Sequence, residues 1–496
     1  ATTGGPVPHD QHDTPYVDAV LAYRRRGFTP FHTPGHKLGK GAPRRLRELV
    51  GETCLQADLA MAGAVEDTRE STGLVRLAEE HAAEAWGAER CHFLVNGSTS
   101  GVHALVLAIA GPGDTLIVPR NAHKSLLNAL IYAGATPVYV EPAVDPVWGI
   151  PLNVTVAQAV AALRAHPQAK AMFVTSPTYN GLCADLPAIA SAAHAVGVPF
   201  IVDQAWGPHL CFCPDLPVDA MTAGADACVV STHKLLSGLT QSAVLLARGK
   251  RLNLARLESM VKMTQSTSPQ VLMYASIDAA RQQMATHGAE LWRAAIAEAE
   301  WARERINEIQ GLRCLGHEVL AAEGVAAFDP TRLTISALDL GHSGTELETI
   351  LRDDYAVAVE AADPLAVILN VTFGDSRKDM RVLVDALRDY AARFADARGR
   401  REAAARWLRL RPPAFTSQVL SPREAFFAPS VALPLAECEG RVSAESVTPY
   451  PPGIPVLGPG EEIGAETVAY LGEAARAQLK VHGPEDLSLR TLRVVA

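Results

Sequence analysis

Ser98, His123, Thr178, Asp203 and Lys234 each stand at or just beyond the end of a short apolar run. Lysine is among the residues least often buried. Lys234 nevertheless follows "ADACVV" with only Ser231, Thr232 and His233 between them. Ser231 and His233 carry donors suited to a phosphate oxygen. A lysine amine in a partly desolvated, cationic pocket can become nucleophilic at neutral pH. Taken alone, Lys234 is also what a surface lysine at a strand end looks like. Asp203, which closes "VPFIVD", can cap a helix or place a carboxylate against a protonated ring nitrogen. The turn Asn96-Gly97-Ser98-Thr99-Ser100-Gly101 offers hydroxyls, close backbone approach and a helix N-terminus, all favourable to an anion. It lacks the lysine of a nucleotide-binding P-loop and is not GxGxxG, so it is equally an ordinary strand–helix turn. His123, in "PRNAHKS", could be structural, or could stack on a ring and move a proton. The sixteen histidines include no HExxH and no Cys/His cluster at ligand spacing, so no metal is expected.

In order, these segments supply a phosphate turn, a histidine, a carboxylate and a Ser-Thr-His-Lys run. Together they suit pyridoxal 5'-phosphate, which is held through a lysine amine condensed with its aldehyde and works best with its pyridine nitrogen protonated. The elements that must position them alternate. "RCHFLV", "DTLIVP", "TPVYVEP", "KAMFVTSP", "VPFIVD" and "DACVVST" read as strands, with helical stretches such as "NAHKSLLNALIYAG" and "AIASAAHAVG" between them. This pattern predicts an α/β fold with a mostly parallel sheet covered on both faces, its ligand beyond the carboxyl ends of the strands. Residues 278–310 read as a long amphipathic helix. "TRLTISAL", "YAVAVEAAD" and "LAVILNVTFG" read as strands of a smaller α+β unit closed by a helix from Met380. The Pro-rich "RPPAF" marks a boundary before a tail.

At 496 residues the chain is long enough for more than one core. A composition of 48% hydrophobic and 20% charged residues, without repeats or low-complexity tracts, is globular. The net charge of −9 contains no basic block, which argues against a nucleic-acid partner. No apolar run is long enough to cross a membrane, and no signal-peptide pattern opens the chain. The eight scattered cysteines are expected to be free thiols, and the compartment cytoplasmic.

Four segments carry a resemblance to a known family: "PFHTPGHKLG" (30–39), "PRNAHKS" (119–125), "STHKLLSGLTQSA" (231–243) and "YPPGIPVLGPGE" (450–461). On these the chain resembles the bacterial ornithine/lysine/arginine decarboxylases, pyridoxal-phosphate enzymes of fold type I with the aspartate-aminotransferase fold. It is similar to the compact branch without an N-terminal wing domain. The resemblance implies an N-terminal arm (1–40), a cofactor-binding large domain (41–300), a small α+β domain (301–410) and a family tail domain (411–496). It implies that Lys234 forms the Schiff base, Asp203 pairs with the pyridine nitrogen and His123 stacks on the ring. Ser98, Thr99, Ser231 and His233 would hold the phosphate, with Trp206 also at the cofactor. Ser266 would reach the phosphate of a neighbouring subunit in a homodimer, and Glu461 would lie near the substrate side chain. The implied reaction is decarboxylation of arginine, lysine or ornithine, with Lys234 or His123 reprotonating Cα. The same lysine would serve an aminotransferase, a lyase or an oxidative decarboxylase, and a silent relative that only binds remains a rival. Two stretches depart from the family pattern. Asp203-Gln204-Ala205-Trp206-Gly207 stands where compact members have Asp-Glu-Ala-His-Gly, and "GAVEDTRESTG" (63–73) replaces a Gly-Leu-Asp-Asp-Leu-His stretch. Both are expected to border the substrate entrance.

Overall fold

The computed structural model describes residues 8–59, 73–397, 413, 417–450, 455–476 and 479–496. The departing stretch 63–72 and the Pro-rich residues 451–454 lie outside them. A seven-stranded sheet has the order Arg90–Leu94, Ala243–Ala247, Ala227–Val230, Phe200–Asp203, Met172–Thr175, Thr115–Pro119, Thr136–Val140. Six of these strands are the six read from the sequence, trimmed by a residue or more at most ends. The seventh, Ala243–Ala247, runs antiparallel to both its neighbours. It and Ala227–Val230 are buried at every residue, as strands covered on both faces must be.

The chain divides into two compact units. One comprises Ala1–Ile109, Ile201–Pro214 and Val218–Glu290; the other comprises Ala110–Phe200, Asp215–Pro217 and Leu291–Ala496. In the first unit Asp203 pairs in parallel register with Val229, so the two strands end side by side. Its N-terminal segment is anchored to the helix Val271–Asn307 through a fully buried ion pair, Arg281 with Asp278, at 2.6 Å. Asp278 accepts from the Tyr16 N–H, and Arg281 donates to the Gln11 and Asp13 carbonyls. A buried pair of this kind is tolerated only when its remaining valences are filled, and here the arm fills them.

The second unit holds a four-stranded antiparallel sheet, ordered Ala361–Ala362, Val367–Asn370, Arg332–Ser336, Arg313–Cys314. The helices Gly344–Tyr355 and Arg377–Arg393 pack on it around Leu333, Ile335, Leu347, Val367 and Leu387. "YAVAVEAAD" is therefore mostly not strand. The helix runs through Tyr355, Ala356 turns left-handed at φ 53°, and only Ala361–Ala362 joins the ladder. Val357 and Val359 still pack against this core, which accounts for the apolar alternation without a ladder. The last segment forms its own small core around Cys438, Val447, Leu457, Ile463 and Leu471, and the strand Ser430–Pro434 pairs with Thr491–Val495. All eight cysteines are free, and among the described residues no helix is long and apolar enough to cross a membrane.

Candidate active site

In the first unit the strand Ala227–Val230 ends into Ser231 and the single turn Thr232–Leu235, which carries Lys234. The Ser231 N–H donates to the Ala205 carbonyl at 3.4 Å and the Gln204 N–H to the Val229 carbonyl at 3.0 Å. The segment after Asp203 is thus laced to the segment bearing the lysine. Lys234 Nζ lies 3.8 Å from the centre of the Trp206 ring, a cation–π contact that keeps the amine over an aromatic face. Asp203, half-buried at its strand end, accepts the Ala205 N–H at 3.1 Å through Oδ1.

Across from Ser231 stands the turn that opens the helix Gly97–Ile109. Gly97 has φ +71°, a conformation that glycine adopts without strain, and it delivers Ser98 at the helix N-terminus. The Ser231 hydroxyl donates to Ser98 Oγ at 3.0 Å, so the two hydroxyls expected at the phosphate converge. Thr99 sits half-buried in the same first turn. The turn is fixed from behind. Gln265 accepts from the Val95 N–H and donates to the Phe93 carbonyl, and Asn96 donates to the Thr264 carbonyl. On the lysine side Thr232 and Ser242 share a hydroxyl bond of 2.8 Å, packed so closely that a Cβ on Gly238 would meet them at 2.9 and 2.4 Å. His233 is turned to the Ser242 carbonyl at 2.7 Å through Nδ1. The donor set fits pyridoxal phosphate: hydroxyls and backbone N–H groups at a helix start, an amine beside an aromatic ring, and a carboxylate on the adjacent strand end.

Ser266 is exposed, accepts from the Ser268 N–H, and lines a cavity of about 220 Å³ with Arg76, His92, Glu258, Lys262 and Tyr274. Burial of the His92 imidazole pulls its pKa down to about 4. The "PFHTPGHK" stretch forms a tight hub. Lys37 donates to the His32 carbonyl at 2.6 Å, His32 shares a bond with the Tyr23 hydroxyl, and His36 pairs with Asp58 at 3.0 Å.

His123 and Glu461 belong to the second unit. His123 is the N-cap of the helix Lys124–Ala133, with Nδ1 accepting the Ser125 N–H at 3.3 Å and facing the Ser125 hydroxyl at 2.9 Å. Glu461, expected near the substrate side chain, gives both carboxylate oxygens to protein partners. It forms a bidentate pair with Arg120, both side chains almost wholly buried, and Oε2 also accepts the Gly458 N–H at 2.9 Å. Arg120, inside the quoted "PRNAHKS", was not singled out from the sequence. An arginine directly after an apolar strand was the available signal, but its partner lies 341 residues away.

A lysine and a carboxylate at neighbouring strand ends, facing a helix-borne hydroxyl turn, make the fold that of the fold-type-I pyridoxal-phosphate enzymes. Models of the Orn/Lys/Arg decarboxylase major domain and C-terminal domain match residues 14–379 and 413–485. An arginine decarboxylase of Halalkalibacterium halodurans is 39% identical over 485 residues, covering 98% of each chain. One from Bacillus subtilis is 38% identical with the same coverage. Lysine decarboxylase A from Pseudomonas aeruginosa superposes with a TM-score of 0.84 at 22% identity, over 97% of this chain and 80% of its own. The chain belongs to the Orn/Lys/Arg decarboxylase family, and it is an amino-acid decarboxylase.

Proposed function

We propose that the chain decarboxylates L-arginine with pyridoxal 5'-phosphate held on Lys234. The observation that carries the substrate choice is the near-full-length similarity to proteins named arginine decarboxylase. Bound there, the cofactor supplies the electron sink for the pair left on Cα when carbon dioxide departs. Ser98 and Ser231 present hydroxyls to the phosphate, with Thr99 and His233 close by in sequence. Asp203 supplies the carboxylate that favours a protonated ring nitrogen. Trp206 restricts the Lys234 amine to one face, which orients it before it accepts or returns a proton. Lys234 or His123 delivers the proton to Cα. The reaction balances as amino acid plus one proton giving the amine and carbon dioxide. We further propose that the enzyme works as a homodimer, with Ser266 serving the neighbouring subunit's phosphate.

The purified protein, reconstituted with cofactor, is given arginine, lysine and ornithine in turn, and carbon dioxide and amine are measured. Arginine should yield both at the highest kcat/KM, and Lys234→Ala should abolish turnover. A preference for lysine or ornithine overturns the substrate assignment. A keto acid without carbon dioxide overturns the reaction.

A further inference from the structure

The Arg120–Glu461 pair has no part in the chemistry above, yet it is among the most deeply buried charge pairs in the second unit. Arg120 follows the strand Thr115–Pro119 and stands three residues before His123. Its own N–H donates to the Val140 carbonyl at 2.9 Å, and its guanidinium lies 4.4 Å from the Tyr139 ring centre. Nη2 donates to Glu461 Oε2 at 2.8 Å while Nη1 engages Oε1. A bidentate fork fixes orientation as well as distance. Glu461 is locked in turn by the Gly458 N–H, and a Cβ at Gly458 would lie 3.8 Å from Leu127 of the helix that His123 caps.

The same helix is gripped at its other end. Arg423 donates to the Ile131 and Tyr132 carbonyls at 3.1 Å, in the last turn of that helix, and a Cβ on Gly134 would meet Arg423 Cδ at 3.2 Å. The C-terminal segment therefore holds Lys124–Ala133 at both ends. At the N-terminal end it does so through a charge pair whose loss would leave a buried guanidinium uncompensated.

We propose that Arg120 and Glu461 are positioning residues: their pair sets the turn 120–123 and so the placement of His123 for the reaction. The proposal rests on the functional reading above, in which His123 serves the reaction. The C-terminal segment then tunes turnover without touching substrate.

The test is a double-mutant cycle in the holoenzyme. Glu461→Gln should lower kcat by about 10–100-fold, the scale of a misplacement of about 1 Å, with KM changing far less. In a His123→Ala background the same substitution should cost less than about twofold, because the group it positions is gone. Equal losses in both backgrounds would show a merely structural pair and overturn the proposal, as would an unchanged kcat. If Glu461→Gln fails to fold, Arg120→Met/Glu461→Met removes both charges and should preserve the core; the same collapse of its effect on His123→Ala is then required. A parallel cycle reads cofactor affinity and the absorbance of bound cofactor without substrate, where both substitutions should again be non-additive. A wild-type chain that binds cofactor but makes no amine sinks the functional reading alone. Additive effects on affinity and absorbance sink the positioning role of the Arg120–Glu461 pair alone.

Discussion

Gly101 decides whether the turn bearing Ser98 and the strand leading to Lys234 can meet. A Cβ at this position would lie 2.7 Å from Leu94 Cδ1 and 2.8 Å from Val229 Cγ1. Ordinary carbon–carbon contact is about 3.5–4.0 Å, so Gly101→Ala requires a displacement approaching 1 Å. Neither neighbour can yield cheaply. Leu94, fully buried, closes the edge strand Arg90–Leu94, and Val229 lies on an interior strand, registered against both Asp203 and Leu245. Alanine gains about 1 kcal/mol of helix propensity over glycine, while overpacking costs about 1–3 kcal/mol. The clash should win, leaving a net loss of about 1 kcal/mol. The helix is the easier body to move, and moving it away from the sheet stretches the Ser98–Ser231 bond beyond its present 3.0 Å. Losing one hydrogen bond to a charged group, about 1.5–3 kcal/mol, weakens cofactor binding by about 10–100-fold. Urea unfolding of the apoprotein and equilibrium cofactor titration would measure the two effects separately. A Gly101→Ala variant of unchanged or greater stability that binds cofactor as tightly as wild type would refute the packing argument.

Two further predictions concern pH. Burial lowers the His92 pKa from 6.5 to about 4, so on acidification the unfolded chain takes up a proton that the folded one refuses. The stability at stake, about 3 kcal/mol at about 1.4 kcal/mol per pH unit, is present above pH 6.5 and is lost as pH falls towards 4. His92→Gln should flatten the decline in urea midpoint between pH 7 and pH 5, and an unaltered slope would count against it. Asp363 behaves oppositely. Burial raises its carboxyl from 3.8 to about 6, so the folded state binds the proton first and gains up to about 3 kcal/mol as pH falls from 6 towards 4. Both the Leu365 and Ala366 N–H groups donate to Oδ1, which an amide oxygen can replace. Asp363→Asn should therefore stabilise the second unit at pH 7 and remove that gain; a destabilised variant at pH 7 would contradict the sign.

The elements that carry the candidate site were legible because short, two-face-buried strands read as unbroken apolar runs and their polar ends stand out. Asp203 and Lys234 could be placed at strand ends from sequence alone, and the Ser98–Ser231 convergence follows from two such ends. Ala243–Ala247 is not legible in the same way: it is as apolar as its neighbours, but only the single turn Thr232–Leu235 separates it from Ala227–Val230, which breaks the strand–helix alternation. The long helix was read from 278 yet begins at Val271, because "VLMYASID" has the β-branched and aromatic content of a strand. The Arg120–Glu461 pair was not legible for a different reason. Local sequence places a carboxylate in a loop but cannot say which cation, hundreds of residues off, will claim it.

The buried Arg281–Asp278 pair separates two boundaries that are easily taken for one. The match to the family's major-domain model begins at residue 14, yet the Gln11 and Asp13 carbonyls that satisfy Arg281 lie before it. The fold thus starts upstream of that match, in polar residues that contribute backbone oxygens rather than side chains. A shortened protein beginning where the signature begins would keep every recognisable motif and still strip a sealed guanidinium of two acceptors.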